Sequence, residues 1–482
     1  MNRKWLSLSF FLAAALGLVS CSGLPHPGGG GGGTAIFSLT FTDAFPSGTS
    51  DLTSVVTITG ITLDPPTGSS VSLLASPVTL DLARLQPDTL SFGATAVPAG
   101  TYSSITVTVS NPVVTIFNQS GAALSGCTNG AVCKIPIAAA GPIKVTSSPF
   151  PIALTSAQQT GVRLDFNLAN AITNTAGNLG VNFSLPNVLS AVTLPQGNPP
   201  TGQLDSVDDY LGVVTAVSQT AKTFTLQSLT RAPLQVSAIA NNNTVFDAFP
   251  VPAACASPSF SCVSVGQVLS VDLGLNTDGT LTAREMEFED GAADDEIEGI
   301  VTSVDTPTQF SVAVTDKIQA ASGTLVGTVA VGDPVIVTLL VSPQFVVDTK
   351  GLLIPPSPLA VFQNSTDTAQ MRPGEVVEVR VKTFIAGIGG NPATVAVDRV
   401  RLRFTRVTVT VTGVPTDPFF NVTGFPPFFA LATPAQVETF GLQTQFEGVV
   451  GVSGLSDSNL VSIRALYINS APPLFAARVR KH

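Results

Sequence analysis

Alternation constrains this chain more than any other feature. From residue 35 onward, apolar residues interleave with Ser, Thr and Asn in short runs such as "AIFSLTFTDA", "SVVTITGITL" and "SSITVTVS", and Gly or Pro interrupts each run within a few residues. A period of two places Val, Ile and Phe on one face of a strand and polar residues on the other. Hydrophobic residues make up 44% of the chain and mean hydropathy is +0.40, values that would suit a membrane protein. Only residues 5–20 approach the roughly 20 uninterrupted apolar residues of a spanning helix. The hydrophobicity therefore belongs to sheets built from Val, Ile and Phe, and the fold class is all-β.

At 482 residues the chain exceeds one ordinary core and divides into about three or four domains. Residues 35–197 alternate strands with turn signals such as "DPPTG", "VPAGT" and "NTAGN" and show no helical period, which predicts an antiparallel β-sandwich. A Pro/Gly-rich linker over 198–209 follows. A second pattern then recurs over 210–292, 293–404 and, more eroded, 405–482. Each copy opens with a Val-rich strand, for example "YLGVVTAVS", "EIEGIVTSV" and "TRVTVTVTG". Each reaches a strand containing or following a Phe (Phe224, Phe310, Phe420), and then a Gly (Gly266, Gly374, Gly448) that leads into a further Val-rich strand through a positive-φ turn. Two or three small β-barrels are expected, since closure removes the edges that make such strands aggregate.

Three stretches of the first unit, "TDAFP", "VPAGTYSSITVTV" and "VRLDFNL", resemble domain of unknown function 4382, found in bacterial surface lipoproteins. The resemblance implies a transthyretin-like or immunoglobulin-like sandwich and no activity. Asn167 stands where that family usually has an acid, which puts in doubt a shared cation site using that position. The later repeats resemble domain of unknown function 5666, which implies compact barrels of five or six strands.

The N-terminus has a basic start, with Arg3 and Lys4, and an apolar core from Trp5 to Leu18, the layout of a secretory signal over residues 1–20. Its end, "LVSC", resembles the bacterial lipoprotein signal, which implies cleavage before Cys21, a diacylglyceryl group on its thiol and a further acyl chain such as palmitate on the new amine. Each buried methylene contributes about 0.8 kcal/mol, and two or more chains anchor stably. Residues 21–34 read as a lipidated cysteine and Gly-rich tether, spanning about 20 Å as a flexible coil. Ser22 after the cysteine resembles the outer-membrane sorting pattern. The expected location is thus the cell envelope, at the outer membrane or cell surface, or on its periplasmic face.

The remaining cysteines form two close pairs, Cys127 with Cys133 and Cys255 with Cys262, which in an exported protein read as local disulfides. The only histidines are His26 and His482, so the commonest general base and metal ligand is missing from the folded regions. No cofactor motif is present. The single Trp5 leaves with the signal, which disfavours sugar stacking. Formal net charge is −10, or −12 after loss of Arg3 and Lys4, and such a chain repels nucleic acid. The basic C-terminus, with Arg478, Arg480 and Lys481, reads as a solvated tail.

The densest charge run is "REMEFEDGAADDEIEG", residues 284–299. On a strand, Glu285, Glu287 and Glu289 share a face, and Asp294 and Asp295 follow. These five carboxylates are the candidate metal ligands, of a kind that suits Ca2+. The ordinary role of such a run is a solvated hinge between the first two barrels. A smaller cluster, Asp205, Asp208 and Asp209, sits at the sandwich-to-barrel junction. The expectation is a non-enzymatic, membrane-anchored string of β-domains that serves adhesion, envelope organisation or binding of a protein or glycan ligand. The alternatives are a carboxylate-dependent polysaccharide hydrolase and a calcium-stiffened spacer.

Overall fold

Strands form nearly all of the regular structure, as the alternation requires. The computed structural model describes residues 33–482 apart from 44–49, 138–141, 184, 195–202, 229–234, 248–256, 277–279, 290–293 and 319–325. Cys21, the signal and nearly all of the tether lie outside the described residues, as does Cys255. Among the described residues no helix is long and apolar enough to cross a membrane.

In the sandwich, one sheet runs in the order Leu189–Thr193, Gln159–Phe166, Thr34–Asp43, Leu90–Pro98, and the other is built around Asp51–Asp64 and Ser104–Phe117. The central pair, Thr34–Asp43 with Gln159–Phe166, is parallel, and among the described residues the other strand pairings of this unit are antiparallel, as expected. The chain crosses to the second sheet between these two strands, and it returns in the same direction. Phe41, Phe166 and Phe183 meet edge-on at 5.5 and 6.3 Å in the core. Tyr102 is buried and donates its hydroxyl hydrogen to the Pro98 carbonyl at 2.9 Å, closing the "VPAGTY" turn. Cys127 and Cys133 are disulfide-bonded. Asn167 caps the short helix Leu168–Ala171, its side-chain oxygen accepting from the Asn170 amide at 3.2 Å.

Two closed barrels follow. The first is built from Gln203–Ser218, Thr223–Ser228, Gln235–Asp247, Val268–Asn276 and Leu281–Glu289, and the second from Asp295–Thr306, Gln309–Ile318, Pro334–Val347, Val376–Ile385 and Ala393–Arg403. The circuit is the same in both. The first strand pairs with the second and fourth, the second with the third, the fourth with the fifth, and the third closes on the fifth in parallel. Residues 203–209, which include Asp205, Asp208 and Asp209, fall on the first strand of the first barrel, where a linker end was expected. Phe224 and Phe310, on the two second strands, are 1% and 0% exposed. Each such burial contributes about 1.5–3 kcal/mol.

The C-terminal unit repeats this circuit with Thr405–Thr416, Phe419–Thr423, Ala435–Thr439, Leu460–Tyr467 and Leu474–Lys481. A short extra strand, Gln445–Glu447, adds to its last strand. Phe420 is again buried on the second strand. "FEGVVGVSG" is not the expected Val-rich strand, because Gly448 and Gly451 both adopt positive φ (75° and 68°) and Val450 is exposed. The structural counterpart of the turn glycines lies ten residues further on. Gly266 and Gly374, at φ 92° and 97°, donate their amides to Val214 and Val301 of the first strand at 2.8 Å, and Ser458, at φ 67°, does the same to Val411 at 2.9 Å. A serine holds the left-handed position in the third copy.

The four units fold against one another, which corrects the expected string. Arg84 of the sandwich reaches Glu298 and Asp316 of the second barrel at 3.0 and 3.1 Å, and Lys134 reaches Asp333 at 2.9 Å. Arg406 of the third barrel pairs with Asp88 of the sandwich, and Gln159 of the sandwich reaches the Asn276 carbonyl of the first barrel at 3.3 Å.

Candidate functional site

The acidic run spans the last strand of the first barrel and the first strand of the second. Along Leu281–Glu289, Leu281, Ala283 and Met286 fill the barrel while Glu287 and Glu289 point outward. Outward is not solvent here, because Glu287 and Glu289 are 3% and 1% exposed. Facing them is "VDRVRLRF" of the second barrel, where Val397, Val400 and Leu402 are buried in that barrel's core while Arg399, Arg401 and Arg403 face outward. Two strands with alternate positions of opposite charge thus meet face to face. The solvated hinge is replaced by a buried ionic seam.

Arg401 Nη1 lies 3.3 Å from Glu287 and 2.9 Å from Glu289, and Arg403 Nη1 lies 3.5 and 3.3 Å from the same two carboxylates. Lys350 also pairs with Glu287, and Asp348 lies 2.9 Å from Arg403. Glu378 sits 3.5–3.8 Å from Arg399, Arg401 and Arg403, and Arg399 also holds Glu296. Arg403 Nε stands 3.8 Å from Glu298, which leads to Arg84 and Asp316. Among the described residues, these contacts bring seven carboxylates together with five cationic side chains.

Burial and the nearest charges divide the acids. Burial works to raise the Glu287 carboxyl, but Lys350, Arg403 and Arg401 override it and hold it well below the usual range. Burial raises Glu289, with Glu287 and Glu378 adding repulsion. Burial likewise lifts Glu296 to about 7 against the pull of Arg399. Glu289, Glu296 and Glu378 each bring a carboxylate oxygen to within 4.8 Å of the other two.

Of the five carboxylates picked from sequence, Glu289 alone joins that trio. Glu287 is held by the cations, and Asp294 sits at the rim against Lys382 and Arg380 at 2.6 and 3.6 Å. Asp295 is buried, and Glu285 lies apart in a groove beside Asp272, burial and that neighbour raising its carboxyl. Glu296 and Glu378 were not among the candidates. The alternating arginines of "DRVRLR" were the signal for a buried acidic partner.

The C-terminus carries a second ionic knot. Arg478 and Arg480 are 4% and 3% exposed on a strand rather than on a solvated tail, and they reach Glu447 at 3.0 and 2.9 Å. Arg163 of the sandwich closes on the same carboxylate.

Residues 34–184 match the family model of a domain of unknown function (DUF4382). Residues 212–287 match that of a second (DUF5666). The DUF4382 match falls on the sandwich short of its last strand, Leu189–Thr193, and the DUF5666 match falls on the first barrel, whose circuit the next two units repeat. No curated protein matches the chain in sequence. Among solved structures, Drosophila Unr CSD456 is 10% identical over 57% of this chain and 97% of its own, at a TM-score of 0.13. A multidomain protein with nucleic acid binding domains from Streptococcus pneumoniae TIGR4 is 7% identical over 57% of this chain and 72% of its own, at 0.11. At such scores neither likeness bears on function.

Proposed function

We propose that this chain is a lipid-anchored protein of the cell envelope that works without catalysis, as a pre-assembled block of four β-units. In this reading Cys21 carries the lipid, the Gly-rich tether holds the block off an outer-membrane or cell surface, and the outer β-faces meet a protein or glycan partner. The supporting observation is that charged side chains at the unit boundaries are engaged with one another, above all Arg401 and Arg403 with Glu287 and Glu289. Buried ion pairs are weak evidence for net stability, but removal of one partner costs roughly 3–5 kcal/mol, so they specify one arrangement of the units. The hydrolase alternative has less support, because Glu287 is tied to three cations and acid–base work needs a carboxyl that can exchange its proton with a substrate.

The test is expression of the full chain in a host with the lipid-modifying pathway. Wild type should fractionate with membranes, and Cys21→Ala should be released yet resist protease as a single block. A Cys21→Ala protein still firmly in the membrane pellet removes the anchor. Early cleavage into separate units removes the block.

A further inference from the structure

The hairpin that joins the last two strands of the second barrel, Val376–Ile385 and Ala393–Arg403, reads "FIAGIGGNPA". No charged residue occurs from Thr383 to Val397. Lys382, which precedes this stretch, is turned to Asp294 at 2.6 Å. At the root, Phe384 and Ala393 pack against the barrel core, so the hairpin projects from a fixed base. Beyond it every residue from Ile385 to Asn391 is exposed, and Ile385 and Ile388 stand 65% and 78% open to water. The tip is also narrow. A Cβ on Gly387 would lie 2.2 Å from the Asn391 carbonyl oxygen, Gly389 and Gly390 take positive φ (64° and 88°), and the Asn391 amide donates to the Ile388 carbonyl at 3.2 Å. The equivalent hairpins differ. That of the first barrel reads "TDGT" and that of the third "INSAPP", whose Ile468 is buried. Two isoleucines held out at one hairpin and not at its counterparts mark an interaction surface.

We infer that this tip is a second contact with lipid, and that Ile385 and Ile388 enter the headgroup–acyl boundary of the bilayer that carries the anchor. Shape and charge favour lipid over a protein partner. A convex wedge without charge offers a protein no ion pair, and it needs no matching pocket in a fluid bilayer, which apolar side chains enter to a depth of about 5–10 Å. A formal net charge of −10 is repelled by anionic headgroups, whereas the tip carries no carboxylate to be repelled. Only residues 22–32 separate Cys21 from the described chain, so an anchored block stays beside its bilayer. A tip of this size binds weakly by itself. On a tethered block the contact is intramolecular, and the effective concentration of the surface is on the order of mM. The inference rests on the anchored-block reading for the nearness of the bilayer, and it adds which part of the block turns toward lipid.

Trp5 is the chain's single tryptophan and lies in the signal, so Ile388→Trp gives the processed chain one indole, at the tip. The full chain is expressed with lipidation and reconstituted in vesicles of phosphatidylethanolamine and phosphatidylglycerol, with or without brominated acyl chains. Blue-shifted emission, loss of intensity to the brominated chains and protection from iodide are expected. Indole itself favours the interface, so the native tip is read separately. Cys21→Ala protein is sedimented with the same vesicles, and adding Ile385→Ser with Ile388→Ser should lower its partition about tenfold or more. Both positions are exposed, so this variant should keep the Tm of its parent. An indole open to iodide and indifferent to bromine, in a chain that fractionates with membranes, would overturn the inference and leave the anchor standing. Protection from iodide without loss to bromine would assign the tip to a protein or a second copy, and would overturn it as well. If the Ile388→Trp chain is absent from membranes, the anchor fails and the sedimentation decides the tip. Partition lost with the two serines upholds it, and equal partition, or none in either protein, overturns it.

Discussion

Arg401 Nη1 lies 2.9 Å from Glu289 Oε2, across the boundary between two barrels and 112 residues apart in sequence. Both side chains are almost excluded from water, so neither can be re-solvated if its partner is lost. Arg401→Ala is expected to destabilise the protein by roughly 3–5 kcal/mol. Arg401→Met together with Glu289→Leu should cost much less than the single change, because both charges leave together. Denaturant unfolding of the two variants checks this, and equal losses would show that the pair is not coupled.

The Glu447 knot predicts an acid-sensitive junction between the sandwich and the third barrel. Burial works to raise this carboxyl, but Arg480, Arg478 and Arg163 hold it well below its ordinary value of 4.5. A carboxyl depressed on folding adds stability that is present above 4.5 and is lost as pH falls below it toward the folded value. Tm should therefore drop below about pH 4.5 more steeply for wild type than for Glu447→Gln. Parallel Tm curves for the two proteins would count against the knot.

Gly299 sits where the first strand of the second barrel closes on the second. A Cβ there would stand 2.8 Å from the Ala313 carbonyl oxygen and 2.9 Å from Val312 Cβ, a clash with backbone that cannot swing away. Gly299→Ala should cost about 1–3 kcal/mol. Gly60, in the sandwich, meets nothing nearer than 3.8 Å, so Gly60→Ala should gain about 0.4–1 kcal/mol through the unfolded chain. Opposite signs in thermal melts are the expected result.

Ser458 occupies in the third barrel the left-handed position that glycine holds in the other two. Such a backbone costs a residue with a Cβ about 1–2 kcal/mol, offset in part by the Ser458 hydroxyl donating to Asp457 at 3.2 Å. Ser458→Gly should therefore raise stability, by about 0.5–1 kcal/mol. A fall in Tm would show that the hydroxyl contact outweighs the backbone strain.

The strands, the order of the units, the buried Phe at 224, 310 and 420 and the turns at Gly266 and Gly374 were all legible in the sequence. Each depends on residues within a few positions of one another, through the two-residue period or the steric freedom of glycine. The third barrel was harder to read for an equally local reason: its turn glycine is replaced by Ser458, while Gly448 imitates it ten residues early. What the sequence did not contain was the destination of its charges. Glu287 and Glu289 share a strand face by alternation, but alternation does not say whether that face meets water or Arg401 and Arg403. Arg478 and Arg480 likewise read as a solvated end until Glu447 and Arg163 were seen beside them. The local pattern determined which residues point together. Only the tertiary packing, which brings Arg401 onto Glu289 from 112 residues away and Arg163 of the sandwich onto Glu447, decided that these faces are buried and paired.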